Sequence, residues 1–154
     1  MARISPKNIR YRTKGEIARD VSYILSCDEL HMGTKLAVVD QVFWVWSEFD
    51  GKYKGCRYWS AKARNSKPEK GGLIHEHMVP RKIVREKLLE LTKPTPQLVE
   101  ELLNKWCVGV VVTKKEDNKL NELRLGSRMP DGWDGENPKA RYLAAGIDIA
   151  DHGD

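Results

Sequence analysis

Residues 107–116 constrain the fold of this chain more than any other stretch. Residues 107–112 read Cys-Val-Gly-Val-Val-Val, an apolar and β-branched run that is typical of a buried strand. Thr113 follows at once, and Glu116 lies three residues further on, which is the spacing of a capping box at a helix start. The sequence therefore predicts a strand over 107–112 that leads without a loop into a helix over 114–124.

A second strand is predicted upstream, over residues 73–77. It opens with an apolar pair after two glycines, ends in the polar run His75-Glu76-His77, and is closed by Pro80. If the two strands pair as an antiparallel hairpin, the helix that follows the later strand can fold back over both. Its first turns then approach the polar end of the earlier strand. The polar side chains that this helix offers there are Asp117, Asn118 and Asn121.

Most of the remaining chain shows helical spacing of its apolar residues. We expect helices over 15–31 and 35–49, separated by a break in which Gly33 is a C-cap and Thr34 an N-cap. Trp44 and Trp46 are expected in the core rather than on a binding surface. A short helix is expected over 58–64, and two more helices, over 83–91 and 96–106, separate the two strands.

These elements predict an α+β fold with a single domain over 1–154. A basic, mainly helical part spans 1–70, a core of two strands and a helix spans 71–125 and contains a two-helix insertion, and a largely irregular tail spans 126–154. The tail is rich in Gly, Pro and Asp, and its one apolar patch covers 142–147.

Composition excludes several classes of protein. The 154 residues are 40% hydrophobic and 32% charged, with a net charge of +5, which is compatible with a polyanionic partner. Cys27, Cys56 and Cys107 form no C-x-x-C pair, so neither a zinc knuckle nor a disulfide framework is expected. No apolar run approaches the ~20 residues that span a membrane, and we expect a cytoplasmic protein without a membrane partner.

The run His75-Glu76-His77 is the densest group of residues that could carry chemistry. A neutral imidazole can take a proton from water at neutral pH, and carboxylate and amide oxygens suit a hard divalent cation. The run could also be a solvated surface cluster, and Asp117 could simply favour the positive end of the helix dipole.

Residues 76–80, Glu-His-Met-Val-Pro, resemble the signature of the HNH, or His-Me finger, nucleases. In that family an acidic residue or a histidine, then a histidine, two apolar residues and a proline close the first strand of a ββα-metal motif. The resemblance covers about 50 residues, 71–123, and implies that His77 is the general base and Glu76 a metal ligand. The third position of the family motif lies on the helix, where Asp117 is favoured and Asn121 comes second. His75 is a further candidate for metal or phosphate.

The function that this resemblance implies is metal-dependent hydrolysis of nucleic acid, with DNA favoured over RNA and with Mg²⁺ favoured over Mn²⁺, Ni²⁺ or Zn²⁺. Basic side chains on either side of the motif would bind backbone phosphates. They are Lys54, Arg57, Lys62, Arg64, Arg81, Lys82 and Arg85. Proteins of this family and size often occur in phages, mobile elements and bacterial defence systems.

Two other readings stay open at this point. The first is a non-catalytic DNA-binding or regulatory module on a degenerate HNH scaffold. The second is a zinc hydrolase that uses His75 and His77, although the sequence offers no obvious third neutral ligand nearby.

Overall fold

The computed structural model describes residues 12–66 and 72–151, which form a small α+β fold. The remaining parts of the predicted N-terminal, core and tail segments lie outside the described residues. The elements, in chain order, are α1 (Lys14–Ser26), α2 (Met32–Ser47), β1 (Tyr58–Ser60), α3 (Ala61–Asn65), β2 (Leu73–His77), α4 (Arg81–Leu89), α5 (Pro96–Trp106), β3 (Gly109–Thr113), α6 (Lys114–Glu122), α7 (Ala140–Ala145) and β4 (Ile149–Asp151).

The four strands form one mixed sheet in the order β2-β3-β1-β4, so β2 lies at an edge. β2 and β3 pair antiparallel, with His75 opposite Val111 and His77 opposite Gly109, which confirms the predicted pairing. β1 runs parallel to β3 and antiparallel to β4. The capping box is also confirmed, because Thr113 Oγ1 accepts from the Glu116 amide while the Glu116 carboxylate accepts from the Thr113 amide.

The predicted helix over 58–64 is wrong at its start. Residues 58–60 form β1, and the helix begins only at Ala61, because the Ser60 hydroxyl caps it by accepting from the Ala63 amide at 3.0 Å. Three residues of strand are too few for a sequence pattern to separate from the helix that follows. Their pairing with β3 and β4 decides their conformation.

The predicted break between the first two helices is misplaced. α1 ends at Ser26, and the N-cap of α2 is His31, whose Nδ1 accepts from the Gly33 amide at 3.0 Å. Gly33 and Thr34 therefore lie in the first turn of α2 and cap neither helix. An imidazole can fill a place usually taken by a hydroxyl or carboxylate oxygen because its unprotonated nitrogen is also an acceptor.

The tail is more ordered than the predicted irregular segment. α7 is followed by Gly146 in the left-handed region at φ 65°, and β4 then adds the fourth strand to the sheet. The apolar patch over 142–147 supplies three buried residues to the core: Tyr142, Ala145 and Ile147.

The two faces of the sheet pack against different elements. Val110 and Val112 face α6 and α7 through Leu120 and Tyr142. Val111 faces the opposite side, where it packs on buried residues of β2, α3 and the loop before β1. A separate apolar cluster joins α1, α2, α4 and α5 around Phe43. Among the described helices, none has both the length and the apolar character that crossing a membrane requires.

Candidate functional site

A cleft of about 440 Å³ lies along the exposed edge of β2. Its walls come from β2, α2, the first turns of α4, the loop after α6, and Arg141 of α7. The residues that line it are Asp40, Trp44, Ile74, His75, Glu76, His77, Pro80, Arg81, Lys82, Arg85, Gly126, Ser127 and Arg141. The run singled out from the sequence therefore lies in a concave site and is not a solvated surface cluster.

His77 is held against the carboxyl-terminal half of α2. Its Nε2 lies 3.1 Å from the Ser47 hydroxyl and 3.3 Å from the Phe43 carbonyl oxygen. The ring also meets the edge of the Trp44 ring, with centroids 4.4 Å apart. Trp44, which was expected in the core, is only half-buried and lines the cleft, whereas Trp46 is buried as predicted.

The surroundings of His77 keep its imidazole neutral. Burial lowers its pKa from the ordinary 6.5 to about 4, and the hydrogen bond to Phe43 offsets only part of that effect. A carbonyl oxygen can only accept, so the contact with Phe43 assigns the proton to Nε2. Nδ1 is then the acceptor nitrogen, and it has no hydrogen bond to any described residue. A neutral ring with an unused lone pair is what a general base requires.

Glu76 points to the other face of β2, toward α7. Its Oε2 accepts from the Arg141 guanidinium at 3.1 Å and from the Tyr142 hydroxyl at 3.1 Å. Burial raises the pKa of Glu76, Arg141 lowers it, and the nearby charge of Asp117 raises it further. Oε1 has no hydrogen bond within the described parts of the chain, and the side chain remains 15% exposed at the cleft.

Arg141 is the site residue that the sequence analysis missed. Its side chain is 1% exposed. Besides Glu76, its guanidinium donates to the carbonyl oxygens of His77, Met78, Leu125 and Gly126. It thus joins the end of β2 to the loop after α6. Nothing around residue 141 in the sequence signals this role, because all five acceptors lie at least 15 residues away along the chain.

Glu76 and His77 share the cleft but not a face of the sheet. Successive side chains of a strand point in opposite directions, so His77 faces α2 while Glu76 faces α7. Both still line the cleft because β2 is an edge strand, with no further strand beside it among the described residues. This edge position is what lets side chains from opposite faces contribute to one site.

The helix α6 contributes less to the cleft than the sequence analysis predicts. Asp117 is close enough to act electrostatically on Glu76, but it does not line the cleft. Asn121 is exposed in a neighbouring groove that shares Gly126 and Ser127 with the cleft. Asn118 is exposed and lines neither space.

His75 lies on the same side of β2 as His77, as strand alternation predicts, but deeper. Its side chain is fully buried, and neither ring nitrogen has a hydrogen-bond partner among the described residues. Nδ1 lies 3.6 Å from a Glu48 carboxylate oxygen. Burial lowers the pKa of His75, and Glu48 partly opposes that effect. The ring is therefore poorly placed to reach a substrate phosphate.

The predicted phosphate-binding residues fall into two groups. Arg81, Lys82 and Arg85 project from α4 into the cleft, where Asp40 accepts from Arg81 at 2.7 Å and lies 3.9 Å from Arg85. Lys54, Arg57, Lys62 and Arg64 are exposed but lie outside this cleft. Only the α4 group is placed beside His77 and Glu76.

The donor set suits a hard, hydrated cation better than a structural metal. Within residues 12–66 and 72–151, no three His, Cys, Asp or Glu side chains are grouped to hold a metal ion between them. Oε1 of Glu76 and the Asp117 carboxylate accept no hydrogen bond from the described residues, and the charge of Asp117 acts on Glu76, although Asp117 does not line the cleft. Mg²⁺ commonly keeps several waters and binds through one or two carboxylates and substrate phosphates, so this donor set is closer to that of a Mg²⁺ site than to that of a zinc site with three protein ligands.

Neither protein-family models, nor curated proteins, nor solved structures include a match to this chain.

Proposed function

We propose that the chain hydrolyses phosphodiester bonds of nucleic acid, most readily DNA, in the cleft along β2, with His77 as the general base. The observation that carries the proposal is the composition of the cleft. It combines the neutral imidazole of His77, whose Nδ1 has no hydrogen bond to a described residue, with the Glu76 carboxylate, whose Oε1 has none either. Three cationic side chains from α4 complete the set. This is the set of groups that attack by water on a phosphodiester requires.

In the proposed reaction, Nδ1 of His77 takes a proton from a water molecule as the water oxygen attacks phosphorus. The bond from phosphorus to the leaving ester oxygen breaks, and that oxygen takes up a proton from solvent. A divalent cation held by Glu76 and Asp117 would stabilise charge on the phosphate and on the leaving oxygen. His75, buried beneath His77, supports the ring by packing and takes no part in proton transfer.

The α4 cations provide the binding part of the proposal. Arg81 lies over the Trp44 ring, 5.2 Å from its centroid, and pairs with Asp40, so its guanidinium is held at the mouth of the cleft. Arg85 and Lys82 extend the same positive face. Contacts of this kind position a phosphate backbone without reading base sequence.

The test is cleavage of plasmid and of short single- and double-stranded oligonucleotides with Mg²⁺, Mn²⁺ or Ni²⁺. His77→Gln retains a donor near the Phe43 carbonyl but removes the basic nitrogen, so we expect the rate to fall by roughly 10²–10⁴-fold. His31→Gln, at the exposed N-cap of α2, is the matched control and should cleave at the wild-type rate. Wild-type cleavage by a folded His77→Gln variant would contradict the proposal.

A second candidate is a nucleic-acid-binding module that does not cleave. It is favoured by the hydrogen bonds that Glu76 Oε2 and His77 Nε2 already make within the protein, since both side chains then have structural roles. If this candidate is correct, DNA binding weakens as salt is added and no metal produces cleavage. The double variant Arg81→Gln/Arg85→Gln then lowers the affinity for DNA, whereas His77→Gln does not. Lys62→Gln/Arg64→Gln, which changes the same charge outside the cleft, is the control.

A further inference from the structure

A second cavity of about 430 Å³ lies at the end of the sheet where β2 ends and β3 begins. We call it the Lys14 pocket. Among the described residues, its walls include three aromatic side chains and four cationic ones, against a single acidic side chain, Asp50. The aromatic residues are Trp46, Phe49 and Tyr58, and the cationic residues are Lys14, Arg57, Lys105 and Lys139.

The four cations are not equivalent. Arg57 pairs with Asp151 at 2.6 Å and Lys105 with Glu136 at 3.1 Å, so carboxylates outside the pocket lining balance these two. Lys14 and Lys139 contact rings instead. The Lys14 ammonium lies 5.0 Å from the Trp46 ring centroid and 5.5 Å from that of Phe49, and the Lys139 ammonium lies 4.7 Å from that of Tyr58.

A cation held against a ring keeps its capacity for an anion. A cation–π contact orients the ammonium without neutralising its charge, and neither Lys14 nor Lys139 has a carboxylate within ion-pair distance in the described residues. Two such ammonium groups on one cavity constitute a site for an anionic group. Phosphate matches it, because it offers several acceptor oxygens to more than one ammonium.

The size and walls of the cavity indicate more than an inorganic ion. A volume of about 430 Å³ lies in the range of small-molecule sites, and aromatic walls such as the half-buried rings of Phe49 and Tyr58 are typical of sites that hold a planar group. We propose that the Lys14 pocket binds one nucleotide unit, through its phosphate at Lys14 and Lys139 and through its base along the aromatic walls. The unit can come from a free nucleotide or from a single strand, since both present the same chemistry.

The pocket is separate from the cleft but adjacent to it. Ser47 lines the Lys14 pocket, and its hydroxyl lies 3.1 Å from Nε2 of His77, which lines the cleft. The two spaces have no lining residue in common. Binding at the Lys14 pocket does not depend on the proposed hydrolysis, so its test uses binding alone.

The experiment is isothermal titration calorimetry of the full chain, without metal, against adenosine monophosphate and against a short single-stranded oligonucleotide. We expect the double variant Lys14→Gln/Lys139→Gln to lose affinity by about tenfold or more, because two charge-assisted contacts are removed. Lys14→Arg/Lys139→Arg keeps both charges and should retain binding. Lys93→Gln/Lys115→Gln removes the same charge from exposed positions outside the pocket and is the matched control.

Binding of adenosine monophosphate identifies a free nucleotide as the ligand, and binding of the oligonucleotide alone identifies a single strand. Either result supports the proposal if Lys14→Gln/Lys139→Gln weakens binding and the other two variants do not. The absence of binding to both probes by the wild-type chain overturns it. Equal weakening by the control variant Lys93→Gln/Lys115→Gln also overturns it. If Arg81→Gln/Arg85→Gln loses binding while Lys14→Gln/Lys139→Gln retains it, the ligand lies in the cleft and the proposal is wrong.

Discussion

Burial determines the protonation state of His77, and through it what this residue can do. The ring is 7% exposed and bound at Nε2, so it stays neutral through the physiological range. A pKa of about 4 makes the ring a weaker base than a free imidazole but leaves it almost entirely in the basic form at neutral pH. Burial thus keeps the ring unprotonated and lowers its proton affinity.

The same burial predicts a pH dependence of stability. Because the folded-state pKa of His77 is depressed to about 4, the unfolded chain binds more protons between pH 6.5 and 4, and stability falls as pH falls through that window. His77→Gln should abolish this part of the loss, which amounts to roughly 2 kcal/mol by pH 5. Urea unfolding of both proteins at pH 7, 6 and 5 measures the difference.

His31→Gln serves as the control for that series, since His31 is exposed. The lowered pKa of His75 also makes the fold less stable as the pH falls, and it does so in both the wild type and His77→Gln. The difference in stability between these two proteins at each pH therefore isolates the effect of His77. If the free energy of unfolding fell equally with pH in the wild type and in His77→Gln, the assignment of a depressed pKa to His77 would be wrong.

Gly109 shows how closely the neighbouring side chains approach the backbone of β3. A Cβ atom at this position would lie 2.5 Å from Nε2 of His75 and 2.7 Å from Sγ of Cys56. Gly109→Ala must therefore displace two buried side chains, and we expect a loss of roughly 1–3 kcal/mol in the free energy of unfolding. The Cβ atom of Gly132→Ala meets no atom of the described residues within 4 Å, so this variant reports the backbone cost of the change alone, at a positive φ of 75°.

At the level of elements, the start of α6 is fixed by one carboxylate. Oε2 of Glu116 accepts from the Thr113 amide at 2.9 Å, the Thr113 hydroxyl at 3.1 Å and the Ser60 hydroxyl at 2.6 Å. Thr113 and Glu116 were identifiable from their spacing, whereas Ser60 comes from β1, an element that the sequence pattern did not separate from α3. The buried carboxylate thus couples the local cap to the packing of α3 and β1.

Glu116→Gln tests that coupling. The neutral amide weakens three charge-assisted hydrogen bonds, and we expect a loss of roughly 1–3 kcal/mol in the free energy of unfolding. Glu122→Gln, an exposed change at the end of the same helix, should cost almost nothing. Equal denaturation midpoints for the two variants would contradict a stabilising role of the Glu116 carboxylate.

For the whole molecule, Arg141 connects the tail to the rest of the site. It is buried, and it binds carbonyl oxygens from both the end of β2 and the loop after α6 as well as the Glu76 carboxylate. The predicted tail is therefore part of the cleft wall. Removing the buried cation takes this donor from the carbonyl oxygens and leaves the Glu76 carboxylate with the Tyr142 hydroxyl but no counter-charge, which is costlier than losing a surface ion pair.

Arg141→Met should destabilise the fold by roughly 3–5 kcal/mol, measured by urea unfolding. Arg128→Met, an exposed arginine with one hydrogen bond to the Arg124 carbonyl, should change stability little. Adding Glu76→Gln to Arg141→Met should recover part of the loss, because the second change removes the unpaired charge. A loss equal to the sum of the two single variants would contradict a direct interaction between them.

Local interactions explain what the sequence determined by itself. The β-branched run of β3, the capping box of α6, and the common side of His75 and His77 all follow from spacing within a few residues and from strand alternation. The antiparallel pairing of β2 with β3 joins segments that α4 and α5 separate along the chain, so it belongs to the tertiary structure. The tertiary structure decided the remaining features. They are the strand conformation of residues 58–60, the helix cap at His31, the fourth strand that the tail supplies, and the placement of Glu76 and His77 on opposite faces of an edge strand. Arg141 belongs with these, because its acceptors become neighbours only after the chain has folded, and no local pattern encodes contacts between segments so far apart in sequence.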